Sequence, residues 1–127
     1  MYSGQQVGTA LGHHLLIDCH GCRGAVLTDV DAVRGLLRRA AATFGLTVIA
    51  EAFHQYLPQG VSGVLILAES HLAVHTWPER EFAAVDLFTC AACPEAARLA
   101  DFLKSALGAE RVECRRLGRG ALVTVSS

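Results

Sequence analysis

The chain has 127 residues, 52% hydrophobic and 18% charged, with a mean hydropathy of +0.36. That is enough apolar material for one core and too little length for two domains, so residues 1–127 read as a single domain. Eleven Lys plus Arg against twelve Asp plus Glu leave a formal charge of -1, without the positive footprint of a nucleic-acid or anionic-membrane binder. Apolar runs such as Val64 to Ala68 fall far short of the roughly 20 residues that span a bilayer. Met1 to Ala10 has neither a basic nor an apolar leader region, so a soluble cytoplasmic protein is expected, with no nucleic-acid or membrane partner.

Gly12 to His20, with Leu15, Leu16 and Ile17 as its apolar run, reads as a buried strand. Thr28 is a candidate N-cap for a helix with Val30, Val33, Leu36, Leu37, Ala40, Ala41 and Phe44 at helical spacing and Gly45 as its stop. Arg34, Arg38 and Arg39 fall on the other side, as a solvated face. Strands follow over Leu46 to Tyr56, Val61 to Ala68, Leu72 to Trp77 and Phe82 to Thr89, with a loop at Leu57 to Gly60 and a turn at Pro78 to Glu81. Pro94 suits the first turn of a second helix, whose stripe is Ala96, Leu99, Leu103, Ala106 and Leu107, ending at Gly108. Arg111 to Arg116 alternates as a last strand. The expected fold is α+β, a two-layer sandwich in which two helices cover one face of an antiparallel sheet.

Five cysteines (Cys19, Cys22, Cys90, Cys93, Cys114) and no leader argue for reduced thiols rather than a disulfide framework. Lys104 is the only lysine, on a helical stretch, so pyridoxal phosphate chemistry has a single Schiff-base candidate. Polar groups of catalytic type concentrate in Ser62 to Glu79, where Glu69-Ser70-His71 and His75-Thr76-Trp77-Pro78-Glu79 interrupt strand-like runs. A serine at a bend beside a peptide carbonyl is placed for intramolecular attack. Taken singly, each of these residues has a plain structural reading; their concentration favours chemistry.

This stretch, with Phe53-His54-Gln55-Tyr56-Leu57-Pro58 before it and Ala83-Ala84-Val85-Asp86-Leu87-Phe88-Thr89-Cys90 after it, resembles the short prokaryotic S-adenosylmethionine decarboxylase proenzymes. The likeness runs from Gly12-His13-His14-Leu15 to about Arg116. It implies that the Ser70 hydroxyl attacks the Glu69 carbonyl and cuts the chain into residues 1–69 and 70–127, the second capped by a pyruvoyl group. That covalent ketone stands in for pyridoxal phosphate, and no metal is implied. By the same resemblance His75 removes the Ser70 Cα proton, Ser62 assists the cut, and Cys90 returns a proton to the decarboxylated carbon. Tyr56 stacks on adenine where relatives have phenylalanine, and Glu79 holds the ribose. Relatives of this length act as homodimers of cleaved protomers, and the product is the aminopropyl donor of spermidine synthesis.

Two departures bear on the substrate. Arg80-Glu81-Phe82 replaces a common Tyr-Gly-Tyr, and Ala91 replaces the glycine after the cysteine. Glu81 offers a carboxylate to a basic head group, so a pyruvoyl-dependent arginine or ornithine decarboxylase is the alternative. A zinc module built from Cys19/Cys22 and Cys90/Cys93 is a lesser one, because 67 residues separate the pairs. A non-processing binding module completes the set.

Overall fold

The computed structural model describes residues 10–68, 70–90 and 94–120. Six strands form one antiparallel sheet in the order β2-β3-β4-β5-β1-β6: β1 Gly12–His20, β2 Val48–Gln55, β3 Val61–Leu67, β4 Ser70–Trp77, β5 Phe82–Thr89 and β6 Arg111–Arg119. Successive side chains point to opposite faces of a strand. Ala83, Val85, Leu87 and Thr89 of β5 are therefore buried on one face. Phe82, Ala84, Asp86 and Phe88 occupy the other.

The first face is covered by α2 Val30–Thr43 and α3 Ala96–Leu107 with a short α1 Gly24–Thr28, which gives the expected two-layer α+β sandwich with three helices instead of the expected two. In α2 the Asp29 carboxylate accepts from the Ala32 N–H at 3.1 Å, and Asp31 complements the first turn. Its buried positions Val33, Leu36, Leu37, Ala40 and Ala41 face the sheet, and full burial of Leu36 or Leu37 contributes about 2 kcal/mol each. They meet Leu15, Ile17, Leu65, Leu72 and Leu87 of the sheet and Leu99 and Leu103 of α3 in one core.

Several boundaries differ from expectation. Asp29 rather than Thr28 caps α2, because Thr28 closes the short α1, whose Leu27 is buried. Pro94 precedes α3 instead of opening it, and Glu95 is the N-cap. β4 begins at Ser70 instead of Leu72, and β6 continues to Arg119 because β1 pairs with it over nine positions. Arg34 and Arg38 are not a bare solvated face: both donate to Glu51 of β2, Arg34 Nε at 2.9 Å and Arg38 Nε at 2.7 Å. Pro78–Arg80 is a 3₁₀ turn that ends on Glu81 at φ 51°, left-handed backbone.

No helix covers the second face among the described residues. Ile66, Trp77 and Leu117 lie exposed there at 48%, 42% and 48%, among the His14, His71, His75 and Asp86 side of the ladder.

Candidate active site

The β3–β4 register sets Ser62 directly opposite His75 on the open face, and Ser62 Oγ shares a hydrogen bond with His75 Nδ1 at 2.9 Å. Their neighbours fix the pair. Thr76, buried, accepts from the Val61 N–H at 2.9 Å and donates to the Leu27 carbonyl at 2.9 Å, so one hydroxyl joins β3, β4 and α1 beside the Ser62–His75 contact. The loop after β2 is tied back in the same way, since the Tyr56 N–H and Gln55 Nε2 both donate to the Gly60 carbonyl. Gly60 has φ 112°, a conformation glycine adopts freely.

These elements enclose a cavity of about 360 Å³ lined by Tyr56, Gln59, Gly60, Ser62, His75, Thr76, Trp77 and Glu79. The Tyr56 ring meets His54 edge-on at 4.6 Å, and Trp77 is tilted against Phe82 at 5.5 Å. One wall is thus aromatic and the other carries hydroxyl, imidazole and carboxylate. The structure brings four of the expected site residues together: Tyr56, Ser62, His75 and Glu79.

Ser70 and Cys90 are elsewhere. Ser70, half-buried, opens β4 and pairs with Leu67 and Thr89. Exposed Cys90 follows Thr89, so these two residues share one end of the sheet. His75 lies five positions along β4 from Ser70, about 17 Å at roughly 3.4 Å per residue. An odd spacing also sends the two side chains to opposite faces. Within one copy, His75 therefore does not reach Ser70. Glu69 and Ala91 lie outside the described residues.

A third group has no counterpart in the sequence patterning. His14 Nε2 lies 3.1 Å from Asp86 Oδ2, and His71 Nε2 lies 3.5 Å from the same oxygen. His71 stacks on Phe88 at 6.0 Å and 25°. Seventy-two residues separate His14 from Asp86; only the β1–β5 pairing joins them.

Among the described residues, Cys19 and Cys22 lie together and far from Cys90. Burial pushes the Cys19 thiol up to about 12 and the Cys22 thiol up to about 11, which keeps both protonated and inert. Cys22 Sγ donates to the Cys19 carbonyl at 3.5 Å. Cys90 adjoins Thr89, which pairs with His13 at the far end of β1, about 20 Å from Cys19 at the strand rise. Cys93 lies outside the described residues.

The family model described as "S-adenosylmethionine decarboxylase" matches residues 13–120. The chain belongs to this family. The "S-adenosylmethionine decarboxylase proenzyme" of Acidithiobacillus ferrooxidans is 43% identical over 111 residues, 87% of this chain and 84% of the relative. The Carboxydothermus hydrogenoformans proenzyme is 41% identical over 114 residues, 90% of each. Among solved structures, adenosylmethionine decarboxylase from Aquifex aeolicus VF5 superposes with a TM-score of 0.82 at 34% identity, over 94% of this chain and 98% of that one. The Trypanosoma brucei AdoMetDC-delta26 monomer shares the fold at a TM-score of 0.61 and 15% identity, over 80% of this chain and 44% of its own. The arginine or ornithine alternative finds no support in S-adenosylmethionine decarboxylase relatives of this closeness.

Proposed function

We propose that this chain is a pyruvoyl-dependent S-adenosylmethionine decarboxylase that matures by cutting itself between Glu69 and Ser70. The reading places residues 1–127 in one cytoplasmic domain, in keeping with reduced thiols at Cys19, Cys22 and Cys90. It is carried by the hydrogen-bonded Ser62–His75 pair in a cavity that also holds Tyr56 and Glu79, in a chain of this family.

In maturation the Ser70 Oγ attacks the Glu69 carbonyl, the peptide C–N bond breaks, and an ester with a free amine on residue 70 results. His75 takes the Ser70 Cα proton while the ester C–O bond breaks, releasing the Glu69 carboxylate. Water then replaces the amine, which leaves as ammonia. The placement of Ser70 fits this product: it is a strand end flanked by Thr89 and Cys90, where a new chain terminus disturbs no interior pairing. The pyruvoyl group supplies a sink for the electron pair that departing carbon dioxide leaves. Cys90 holds the proton returned to the substrate carbon. Tyr56 offers its ring to adenine, and Glu79 accepts from ribose hydroxyls.

The roughly 17 Å between Ser70 and His75 in one copy favours a homodimer of cleaved protomers joined through the open sheet faces. A two-fold axis between the sheets and perpendicular to the strands sets the His75 end of one β4 over the Ser70 end of the other. Exposed Ile66, Trp77 and Leu117 give that face apolar surface to bury. The decisive experiment is an intact-mass spectrum with a carbon dioxide assay on S-adenosylmethionine. Two fragments, the second with a blocked keto terminus, together with activity lost in an uncut Ser70→Ala chain, are expected. A wild-type chain that stays whole and inactive overturns the reading.

A further inference from the structure

We propose that His71, held by Asp86 and Phe88, is a positioning residue that keeps the reactive group of residue 70 in its strand once the chain is cut; the inference rests on the maturation reading above. Cutting before residue 70 turns the start of β4 into a chain end, and chain ends fray unless they are tied down. Among the described residues, the ladder ties of residue 70 are to Leu67 and Thr89. His71, bonded through its amide nitrogen to the carbonyl of residue 70, is the nearest side chain that can anchor the terminus.

Its anchor is built from uncut strands. The His71 ring stacks on Phe88 of β5, with centroids 6.0 Å apart, and its Nε2 is 3.5 Å from Asp86 Oδ2. That carboxylate is steadied by His14 of β1 at 3.1 Å, and His14 in turn by Arg119 of β6, whose NH1 lies 3.3 Å from His14 Nδ1. A guanidinium only donates, so His14 Nδ1 accepts and the ring proton sits on Nε2, directed at Asp86. The three donor atoms of His14, His71 and Asp86 lie within 4.8 Å of one another, close enough for a metal. The Arg119 contact directs the Nε2–H of His14 at Asp86, and His71 meets the same carboxylate oxygen as an ion-pair contact. Phe88 needs its own space: a Cβ on Gly12 lies 2.5 Å from Phe88 Cζ, so β1 carries glycine there.

A misplacement of about 1 Å at a reacting centre costs up to roughly a hundredfold in rate. In cleaved full-length enzyme, Asp86→Asn and Phe88→Leu are expected to lower kcat about tenfold and leave KM for S-adenosylmethionine within about twofold. KM is spared because the change displaces the reacting group at residue 70 and leaves in place Tyr56 and Glu79, which hold the rest of the substrate. Backbone amides of residues 71 and 72 should exchange hydrogen about tenfold faster, with those of residues 75–77 unchanged, and Phe88→Tyr should restore both readouts. Variants with kcat and exchange within twofold of wild type overturn the role. So does a loss of kcat with a matching rise in KM and faster exchange across the whole sheet. A wild-type chain that stays whole sinks the maturation reading together with this role; a cut, active wild type matched by its variants sinks this role alone.

Discussion

Gly63 is the point at which the core and the site constrain each other most tightly. Phe53 of β2 lies across it, and a Cβ at residue 63 sits 2.0 Å from Phe53 Cδ2 and 2.1 Å from Cε2. Ordinary contact for such carbons is about 3.5 Å, so in Gly63→Ala the ring has to move by roughly 1.5 Å. It is not free to do so, because it packs against the core and under the Arg34 guanidinium, 5.1 Å from the ring centroid. Overpacking of this kind costs about 1–3 kcal/mol. Urea unfolding is the assay, in a Ser70→Ala background so that a single uncut species is measured. With Phe53 shortened to leucine, the added methyl finds room and Gly63→Ala should cost less than about 0.5 kcal/mol. Equal costs in the two backgrounds would refute the steric argument.

Two further outcomes follow from the site. Glu81 holds left-handed backbone at φ 51°, which costs a side-chain-bearing residue roughly 1–2 kcal/mol. Glycine relieves that and returns roughly 0.5–1 kcal/mol in unfolded-chain entropy. Glu81→Gly should therefore raise the thermal midpoint by about 2–5 °C, and an unchanged or lower midpoint tells against strain at the turn. Cys90→Ala should still be cut, at least in part, and then lose activity progressively during turnover as protons reach the wrong carbon; steady activity over many cycles removes the donor role.

The architecture was legible wherever one face of an element is buried. The apolar runs of Val61 to Leu67 and Phe82 to Thr89, and the Val33-Leu36-Leu37-Ala40-Ala41 stripe, report burial directly because burial is what creates them. Short or exposed pieces left no such trace. α1 is five residues long without a side-chain cap bond. The end of β6 is polar and exposed, and it is a strand because β1 pairs with it, not because of its own propensities. The site was half legible. The family resemblance pointed to Tyr56, Ser62, His75 and Glu79, and one cavity gathers them. Reading Ser70 and His71 as a bend hid the fact that residues 70 and 75 share a strand, where a spacing of five sets them far apart. The His14–Asp86–His71 chain depends on β1 lying beside β5, a long-range pairing that no local pattern encodes.

The separation of Ser70 from His75 makes a prediction that no single-copy mechanism shares. If each reaction centre draws Ser70 from one protomer and His75 from its partner, two defective chains can repair each other. Ser70→Ala lacks the group to be cut but retains His75; His75→Ala retains Ser70 but lacks the base. Each alone should remain whole, the second stalled at the ester and open to cleavage by hydroxylamine. Co-expressed at equal levels, random pairing places roughly half of the molecules in mixed dimers. In each mixed dimer one centre is complete and the other lacks both groups. The His75→Ala chain, marked by a tag, should then appear cut in about half of its copies, while the Ser70→Ala chain stays whole. Decarboxylation should return in proportion to the mixed dimer. If the tagged chain stays uncut although mixed dimers form, the base acts within its own copy, and β4 must bend or unpair to bring residues 70 and 75 together.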